Sequence, residues 1–316
     1  MTLIGHDQVW AEWREAVAGT RMHHAWLLTG KRGVGKAAFA LAAARELVAE
    51  PGVPQPVHDH PDIYYLTHPP KNDTEAKKRD DGKPFELARN IKIGQIRQMQ
   101  QRLITRPTLG SRRAIIIDPM DDLEKPASNA LLKSLEEPPQ GTVFLLVSHR
   151  PGALLPTIRS RCRLLPFASL SDAQVETVLA REAPQASAQA RAAAVAAAGG
   201  SPGAALGFVE LDLAPIHALM GQITAQGDAD FRLRGKLAET IGARPSRERQ
   251  AAVLDLARAV VAARTATASL REVPALVTAH EDLTRLAAQF PVYNFDPGLL
   301  VMEIGTLLAH LAPVRA

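Results

Sequence analysis

The apolar segment Ala114–Asp118, which reads AIIID, does most to limit the folds that are open to this chain. An unbroken run of apolar residues, without alternation, predicts a strand that is buried on both faces. The segment ends in an acid, and a short turn and a helix that stops at Pro138 and Pro139 follow it. A strand of this kind lies inside a parallel sheet that helices cover on both sides, so we expect an α/β fold.

Other short apolar segments have the same character, and helical patterns separate them. Between two of them, Ile96, Met99 and Leu103 follow one another at helical spacing and predict an amphipathic helix on the sheet. Together with Ala114–Asp118, these apolar segments predict a five-stranded parallel sheet with right-handed crossovers. The other predicted strands are Ala25–Thr29, Ile63–Thr67, Thr142–Ser148 and Arg163–Phe167.

A glycine-rich loop, Gly30–Lys36 (GKRGVGK), joins the first predicted strand to an Ala-rich helix that starts at Ala37. Strand, glycine loop and helix in this order predict a P-loop, whose backbone N–H groups form a nest for phosphate. Lys36 would then contact the outer phosphates. The glycines of the loop are Gly30, Gly33 and Gly35.

Two positions depart from what a nucleotide-hydrolysing site needs. Ala37 stands where a P-loop has a Ser or Thr that binds Mg²⁺, and a methyl group cannot bind a metal. Asp118 ends the central strand as the acid that supports Mg²⁺ does, but Pro119 follows it where a hydrolytic enzyme would carry Glu. The sequence therefore predicts a degenerate nucleotide site with P-loop shape and poor hydrolysis. A loop that only joins strand to helix is the other interpretation.

Beyond Phe167 no further strand is apparent, and Ala- and Leu-rich helical patterns continue to the end. Aromatic residues are only 4% of the chain, so its cores must be aliphatic, which favours helix. We expect three domains: an α/β domain over 1–168, three short helices over 169–209, and about five longer helices over 210–316. The last domain has no cluster of catalytic residue types, so we expect it to serve packing or oligomerisation.

Composition excludes several classes of protein. A single cysteine, Cys162, rules out a disulfide framework and a Cys-rich zinc site, and it fits a reducing cytosol. The beginning of the chain lacks the pattern of a signal peptide, and no apolar run of about 18 residues predicts a membrane span. The formal charge of +4 is too small to indicate nucleic-acid binding by itself.

Two polar segments each have a purely structural interpretation and a functional one. His58, Asp59, His60 and Asp62 suggest metal binding, but their spacing matches no tight zinc pattern, so a plain loop is favoured and no metal is expected. The stretch 71–84 (KNDTEAKKRDDGKP) carries charges of both signs. A solvated, mobile loop is the default interpretation there, and contact with DNA is the alternative.

Several motifs now occur together in one order: HAWLLTGKRGVGK, IIID, SNALLKSLEEPP, LLVSHRP and TIRSRCRLLPF. Together they resemble the clamp-loader branch of the AAA+ proteins, and the resemblance covers about the first 208 residues. It implies an AAA+ α/β domain, a small three-helix lid domain and an all-α collar. The stretch YNFDPGLLVMEIGTLLA near the end fits that collar.

The resemblance also implies roles for individual residues. Arg161, in the motif Ser160-Arg161-Cys162, matches an arginine finger that acts in trans on ATP held by a neighbouring subunit. Asn129 and Glu136 lie on the motif helix, where helix packing and solvated charge are the favoured interpretation and a role at the subunit interface is the alternative. For Arg161 the plain alternative is a salt bridge at the start of a strand.

Departures from the motor subunits of that branch favour a non-motor subunit. Ala37 and Pro119 are two of them, and the lid motif GSPGAAL has Gly203 where the motor subunit has a second sensor arginine. Ser148 matches the first sensor position. The family's zinc-binding cysteines, which would lie near residues 50–66, are missing, so no zinc is expected.

The resemblance therefore implies a non-hydrolysing, stator-like subunit of the bacterial sliding-clamp loader, within the DNA polymerase III holoenzyme and in the cytoplasm. Its implied partners are the gamma/tau motor subunits and the delta subunit, with the clamp contacted indirectly, primed DNA held by the assembled ring, and no membrane. No cofactor is required, and weak binding of ATP or ADP stays open. Two alternatives remain: an active ATPase in which Glu136 or Asp121 replaces the missing Glu, and a pure assembly scaffold.

Overall fold

The computed structural model describes residues 3–19, 22–290, 293 and 295–313. It divides into two compact units, Met1–Ser169 and Leu170–Ala316, which are described separately. The ends of the predicted domains at residues 1 and 316, and Asn294 of the predicted collar motif, lie outside the described residues.

The first unit is built on a five-stranded sheet with the order β2-β3-β4-β1-β5, in which every pair is parallel. This confirms the predicted fold class. Strand β3 runs one residue earlier than predicted, so Asp118 lies just past its end rather than within it. The strands are β1 Ala25–Thr29, β2 Ile63–Leu66, β3 Arg113–Ile117, β4 Thr142–Ser148 and β5 Arg163–Pro166.

Alternate residues of the central strands point to opposite faces, and each face packs against its own helices. Ile116 and Leu145 pack with α1 and α2, whereas Ile115 and Leu146 pack with α4 and α5. Short 3₁₀ turns occupy Met120–Asp122 and Pro151–Ala153. The helices of this unit are α1 Asp7–Ala18, α2 Lys36–Val48, α3 Asp73–Asp80, α4 Ile93–Leu103, α5 Lys125–Glu136 and α6 Pro156–Arg159.

The charged stretch 71–84 is not a loop throughout, and that prediction was wrong. Residues 73–80 form α3, because the Asn72 side chain caps the helix by accepting a hydrogen bond from the Glu75 backbone N–H. The Glu75 side chain is mostly buried and accepts hydrogen bonds from Lys78 and from the Glu86 backbone. Cations in this stretch are engaged nearby, as in the Lys71–Glu86 pair, so its charge is largely neutralised locally.

The second unit contains only helices in its described residues. Ser171, Ser187 and Asp296 cap their helices through side-chain oxygens that accept from backbone N–H groups of the first turn. The helices are α7 Asp172–Glu182, α8 Ala188–Ala198, α9 Pro202–Glu210, α10 Ala214–Gln226, α11 Arg232–Ile241, α12 Arg247–Thr265, α13 Val273–Gln289 and α14 Pro297–Ala309.

A single hydrophobic cluster runs through this unit, from Leu170 to Leu311. The three short helices α7–α9 contribute to this cluster together with the longer helices, so residues 169–209 do not have a hydrophobic core of their own. The predicted boundary between 209 and 210 therefore stays a prediction. No single described helix is long and apolar enough to cross a membrane. The bent pair α9–α10 has enough length and apolar composition only when its two helices are taken together.

A buried ion pair in the second unit joins Arg234 of α11 to Asp228 in the preceding loop, and a hydrogen bond joins the same arginine to α14. The Arg234 guanidinium donates to the Asp228 carboxylate at 2.8 Å and to the Thr306 hydroxyl at 2.9 Å, and it lies over the Phe231 ring. The side chains of Arg234 and Asp228 are only 8% and 0% exposed. Gly305 permits this approach, since a Cβ there would lie 2.4 Å from Arg234 Cγ.

We predict that Asp228→Ala lowers the free energy of unfolding by about 3–5 kcal/mol, because it leaves a buried guanidinium unpaired. Asp230→Ala is the matched control: its partner Arg232 is exposed, and loss of such a surface pair costs at most about 1 kcal/mol. Urea denaturation followed by far-UV circular dichroism measures both. Equal losses in the two variants would contradict the structural role of the buried pair.

Candidate functional site

The loop after β1 has the backbone of a P-loop. Gly30, Gly33 and Gly35 all have positive φ, and Gly35 precedes the first residue of α2. At Gly30 any side chain is also excluded by space, because a Cβ would lie 2.4 Å from the carbonyl oxygen of Phe167. The glycines are therefore required by the turn between strand and helix, whatever the loop binds.

Lys36 is held inside this loop. Its Nζ donates to the carbonyl oxygens of Gly30 and Lys31 at 2.7 and 2.6 Å, and the residue is 2% exposed. Burial lowers the pKa of Lys36 to about 8, against the opposing effect of the nearby carboxylates of Asp118 and Asp121. Of the three N–H donors of the ammonium group, two are used and one remains for a phosphate oxygen.

Ala37 and Asp118 stand next to the loop at the two positions where the sequence comparison with a P-loop expects ligands of Mg²⁺. Ala37 contributes only a methyl group. Asp118 accepts a hydrogen bond from the Tyr65 hydroxyl at the end of β2. Burial and this hydrogen bond raise the pKa of the Tyr65 phenol, so the hydroxyl remains a donor. The Asp118 carboxylate is thus partly engaged by a side chain that sequence reasoning did not single out.

Asp121 holds the turn after β4. Its carboxylate accepts from the Ser148 hydroxyl at 2.8 Å and from the backbone N–H groups of His149 and Arg150 at 2.6 and 3.0 Å. Ser148, at the first sensor position, therefore makes a local hydrogen bond. With three donors on its two oxygens, Asp121 is poorly placed to accept a proton from water.

Arg161 lies away from this loop, before β5. Its Nη2 pairs with Glu136 Oε1 at 2.6 Å, and its Nη1 donates to the Thr157 carbonyl oxygen at 2.8 Å. The side chain remains 33% exposed. The structure thus brings together two residues that the sequence assigns to different motifs, Glu136 at the end of α5 and Arg161 after α6.

The neighbours of Arg161 are mostly structural. The Ser160 hydroxyl donates to the Thr157 carbonyl oxygen at 3.1 Å, and Cys162 packs against the core, where burial raises the pKa of its thiol to about 12. Such a thiol is unreactive at neutral pH. Arg163 pairs with Glu12 and lies over the Trp26 ring. Since Arg161 itself pairs with Glu136, the salt bridge that is its plain alternative is present in the structure.

Asn129 lies on α5 with an exposed side chain and is not brought to either of these sites. Gly203 is likewise exposed, on α9 of the second unit.

The two sites lie at opposite edges of the sheet. Strand β1 pairs in parallel with β5, with Trp26 opposite Arg163 and Thr29 opposite Pro166. The glycine loop follows the carboxyl end of β1, whereas Arg161 precedes the amino end of β5. A strand rises about 3.3 Å per residue, so the length of β5 separates the two sites by about 13 Å or more.

Histidine and acid side chains of the segment 58–62 serve the fold. His60 Nε2 hydrogen-bonds with the Gln55 amide oxygen, and the Asp62 carboxylate accepts from the backbone N–H groups of Thr108 and Leu109. In the described ranges no group of three or more His, Cys, Asp or Glu side chains could hold a metal ion.

Sequence reasoning missed Tyr65 and Thr157. Tyr65 could have been found from the parallel arrangement, because β2 ends beside the strand that precedes Asp118. Thr157 contributes only its carbonyl oxygen, and the residue type gives no signal for that.

Comparison with known proteins decides the family. The model of the family described as "DNA polymerase III, delta subunit" matches residues 5–171, which is more than half of the chain. The curated delta-prime proteins match the same chain. The chain belongs to the DNA polymerase III delta-prime subunit family. This confirms the resemblance to the clamp-loader branch.

Two relatives are delta-prime subunits. The chain is 34% identical over 209 residues to that of Pseudomonas aeruginosa, covering 60% of this chain and 58% of the relative. It is 33% identical over 208 residues to that of Escherichia coli, covering 61% and 56%. The chain thus spans a little over half the length of these relatives.

The fold is also that of a solved structure. A DNA polymerase III gamma subunit-related protein from Thermotoga maritima superposes with a TM-score of 0.54 over 96% of this chain and 99% of that one. At 17% identity this likeness shows the fold alone. It agrees with the AAA+ sheet and the helical C-terminal region expected from the sequence.

The lowered pKa of Lys36 predicts how stability depends on pH. The unfolded chain binds this proton with the ordinary pKa near 10.4, more tightly than the folded protein does, so Lys36 lowers the free energy of unfolding below about pH 8. That cost disappears as the pH rises past about 10.4. We compare the free energy of unfolding of Lys36→Met with that of the natural protein at each pH. The difference, variant minus natural protein, should fall by about 2–3 kcal/mol between pH 7 and pH 10.5.

Urea denaturation followed by tryptophan fluorescence measures this difference, because Trp10, Trp13 and Trp26 all lie in the first unit. Lys133→Met, at an exposed position of α5, is the control and should show little change with pH. A difference for Lys36→Met that stays constant with pH would show that the ammonium group is not buried as described.

Proposed function

We propose that this chain is a non-hydrolysing subunit of the bacterial sliding-clamp loader and that it supplies Arg161 to ATP bound by a neighbouring subunit. The observation that carries the proposal is the placement of Arg161 at the opposite edge of the sheet from the chain's own glycine loop. A guanidinium there cannot reach a nucleotide held in its own loop. Any nucleotide that Arg161 contacts in the ring is therefore held by another subunit.

The chemistry of the guanidinium suits this role. It stays charged, it is planar, and it can stabilise the oxygens of a phosphoryl group in transfer. In this protein two of its five N–H groups are used by Glu136 and Thr157, and one third of the side chain is exposed. Three N–H donors therefore remain for phosphate oxygens.

The chain's own site supports the non-hydrolysing part of the proposal. Ala37 offers no oxygen to Mg²⁺, Pro119 offers no carboxylate to a water molecule, and Asp121 is occupied by three donors. The loop geometry and the remaining N–H of Lys36 favour at most weak, metal-independent binding of ATP or ADP. We propose that no cofactor and no zinc are required.

The proposed partners are gamma/tau motor subunits and a delta subunit, with residues 210–316 as the collar through which they assemble. The sliding clamp is contacted indirectly, and primed DNA is held by the assembled ring in the cytoplasm. Any contact with DNA is to phosphates and hence independent of sequence. The stretch 71–84 is not proposed as a DNA contact, because its ion pairs neutralise it.

We predict that Arg161→Ala in the reconstituted loader slows ATP hydrolysis at the adjacent site by at least about tenfold, since arginine fingers contribute about 10³–10⁵ in well-studied GTPases. Single-turnover hydrolysis with primed DNA and clamp measures the rate. Arg159→Ala, on the same exposed turn, is the matched control. Unchanged hydrolysis by the assembled Arg161→Ala complex would refute the finger role.

An active ATPase is the competing function, and it is favoured only by the preserved loop and Lys36. We expect the isolated chain to show no ATP turnover above that of its Lys36→Ala variant, with or without Mg²⁺. A steady-state assay that couples ADP release to a dye measures this. Mg²⁺-dependent turnover that Lys36→Ala abolishes would support the ATPase and contradict our proposal.

A further inference from the structure

The contact between Glu136 and Arg161 joins two motifs that are 25 positions apart in the sequence. Glu136 Oε1 lies 2.6 Å from Arg161 Nη2, and the Thr157 carbonyl oxygen accepts from Nη1 at 2.8 Å. The guanidinium is therefore held by groups from two different elements, the end of α5 and the turn of α6.

The end of α5 that carries Glu136 is fixed by its neighbours. His24, just before β1, donates from Nε2 to the Leu135 carbonyl oxygen at 2.9 Å. Gln100, on α4, donates from Nε2 to the Ala130 carbonyl oxygen and to the Ser134 hydroxyl at 2.9 and 3.1 Å. The hydrogen bonds from His24 and Gln100 thus fix the end of α5 from which Glu136 contacts Arg161.

The turn that carries Arg161 is also fixed. Ile158 of α6 is buried in the core, and Cys162 packs against the same cluster on that face of the sheet. Between these two anchors, Arg161 is the side chain that leaves the core and meets the carboxylate.

We propose that Glu136 is a positioning residue for Arg161, which it orients toward a phosphate of a nucleoside triphosphate on the neighbouring subunit. This inference rests on the proposed function. A long exposed arginine samples many rotamers, and binding a phosphate requires one of them. Glu136 and Thr157 select that arrangement in advance, and the three other N–H groups stay available.

The size of the effect follows from the exposure of the pair. Glu136 is 48% exposed, so its interaction with Arg161 is a screened surface ion pair of modest strength. We expect Glu136→Ala to slow single-turnover hydrolysis in the reconstituted loader by about two- to fivefold. Because a finger acts mainly on the transition state, the loss in hydrolysis rate should exceed any change in KM for ATP.

A double-mutant cycle separates positioning from a general structural effect. Glu136→Gln keeps the length and an acceptor oxygen, so it should restore part of the rate that Glu136→Ala loses. Glu137→Ala, at the next exposed position, should match the natural chain. Once Arg161 is replaced by Ala, adding Glu136→Ala should cost nothing more. Gel filtration of each complex confirms that assembly is intact.

The outcomes distinguish this inference from the function on which it rests. A slow Arg161→Ala complex with a Glu136→Ala complex at the natural rate overturns the positioning role and leaves the finger role in place. Additive losses in the double variant also overturn it, since Glu136 would then act independently of Arg161. A natural rate for Arg161→Ala overturns both the proposed function and this inference.

Discussion

The parallel pairing of β1 with its neighbours β4 and β5 is the constraint on which the rest of the first unit depends. Parallel strands collect all their carboxyl ends at one edge of the sheet and all their amino ends at the other. The glycine loop, Asp118 and Ser148 lie at the carboxyl ends of strands and so share one edge, while Glu136 and Arg161 precede strands and share the other. A frame typical of nucleotide hydrolysis therefore carries the Arg161 guanidinium on the side away from its own loop.

At the loop edge, groups of the chain itself occupy positions where a hydrolytic site needs free ligands. Carbonyl oxygens hold Lys36, the Tyr65 hydroxyl engages Asp118, and Asp121 binds the turn after β4. Each contact lowers the cost of burying polar groups, and together they stabilise the loop.

Much of this architecture was predictable from the sequence, since unbroken apolar runs such as Thr142–Ser148 identify buried parallel strands. The helix α3 was missed because its stability comes from Asn72 and Glu75, which also fit a charged loop. The residues of the candidate sites were proposed from motifs and chemistry. Their contacts were not, because the pairing of Glu136 with Arg161 depends on how α5 and α6 pack, and no local pattern encodes that.

We propose that Arg161 serves a nucleotide on another subunit, and a structure of the assembled loader with primed DNA, clamp and a non-hydrolysable ATP analogue would test this. We expect guanidinium nitrogens within about 2.7–3.2 Å of terminal phosphate oxygens of a neighbour's nucleotide, with Glu136 still paired to Arg161. An Arg161 side chain that faces no nucleotide in the closed complex would contradict it.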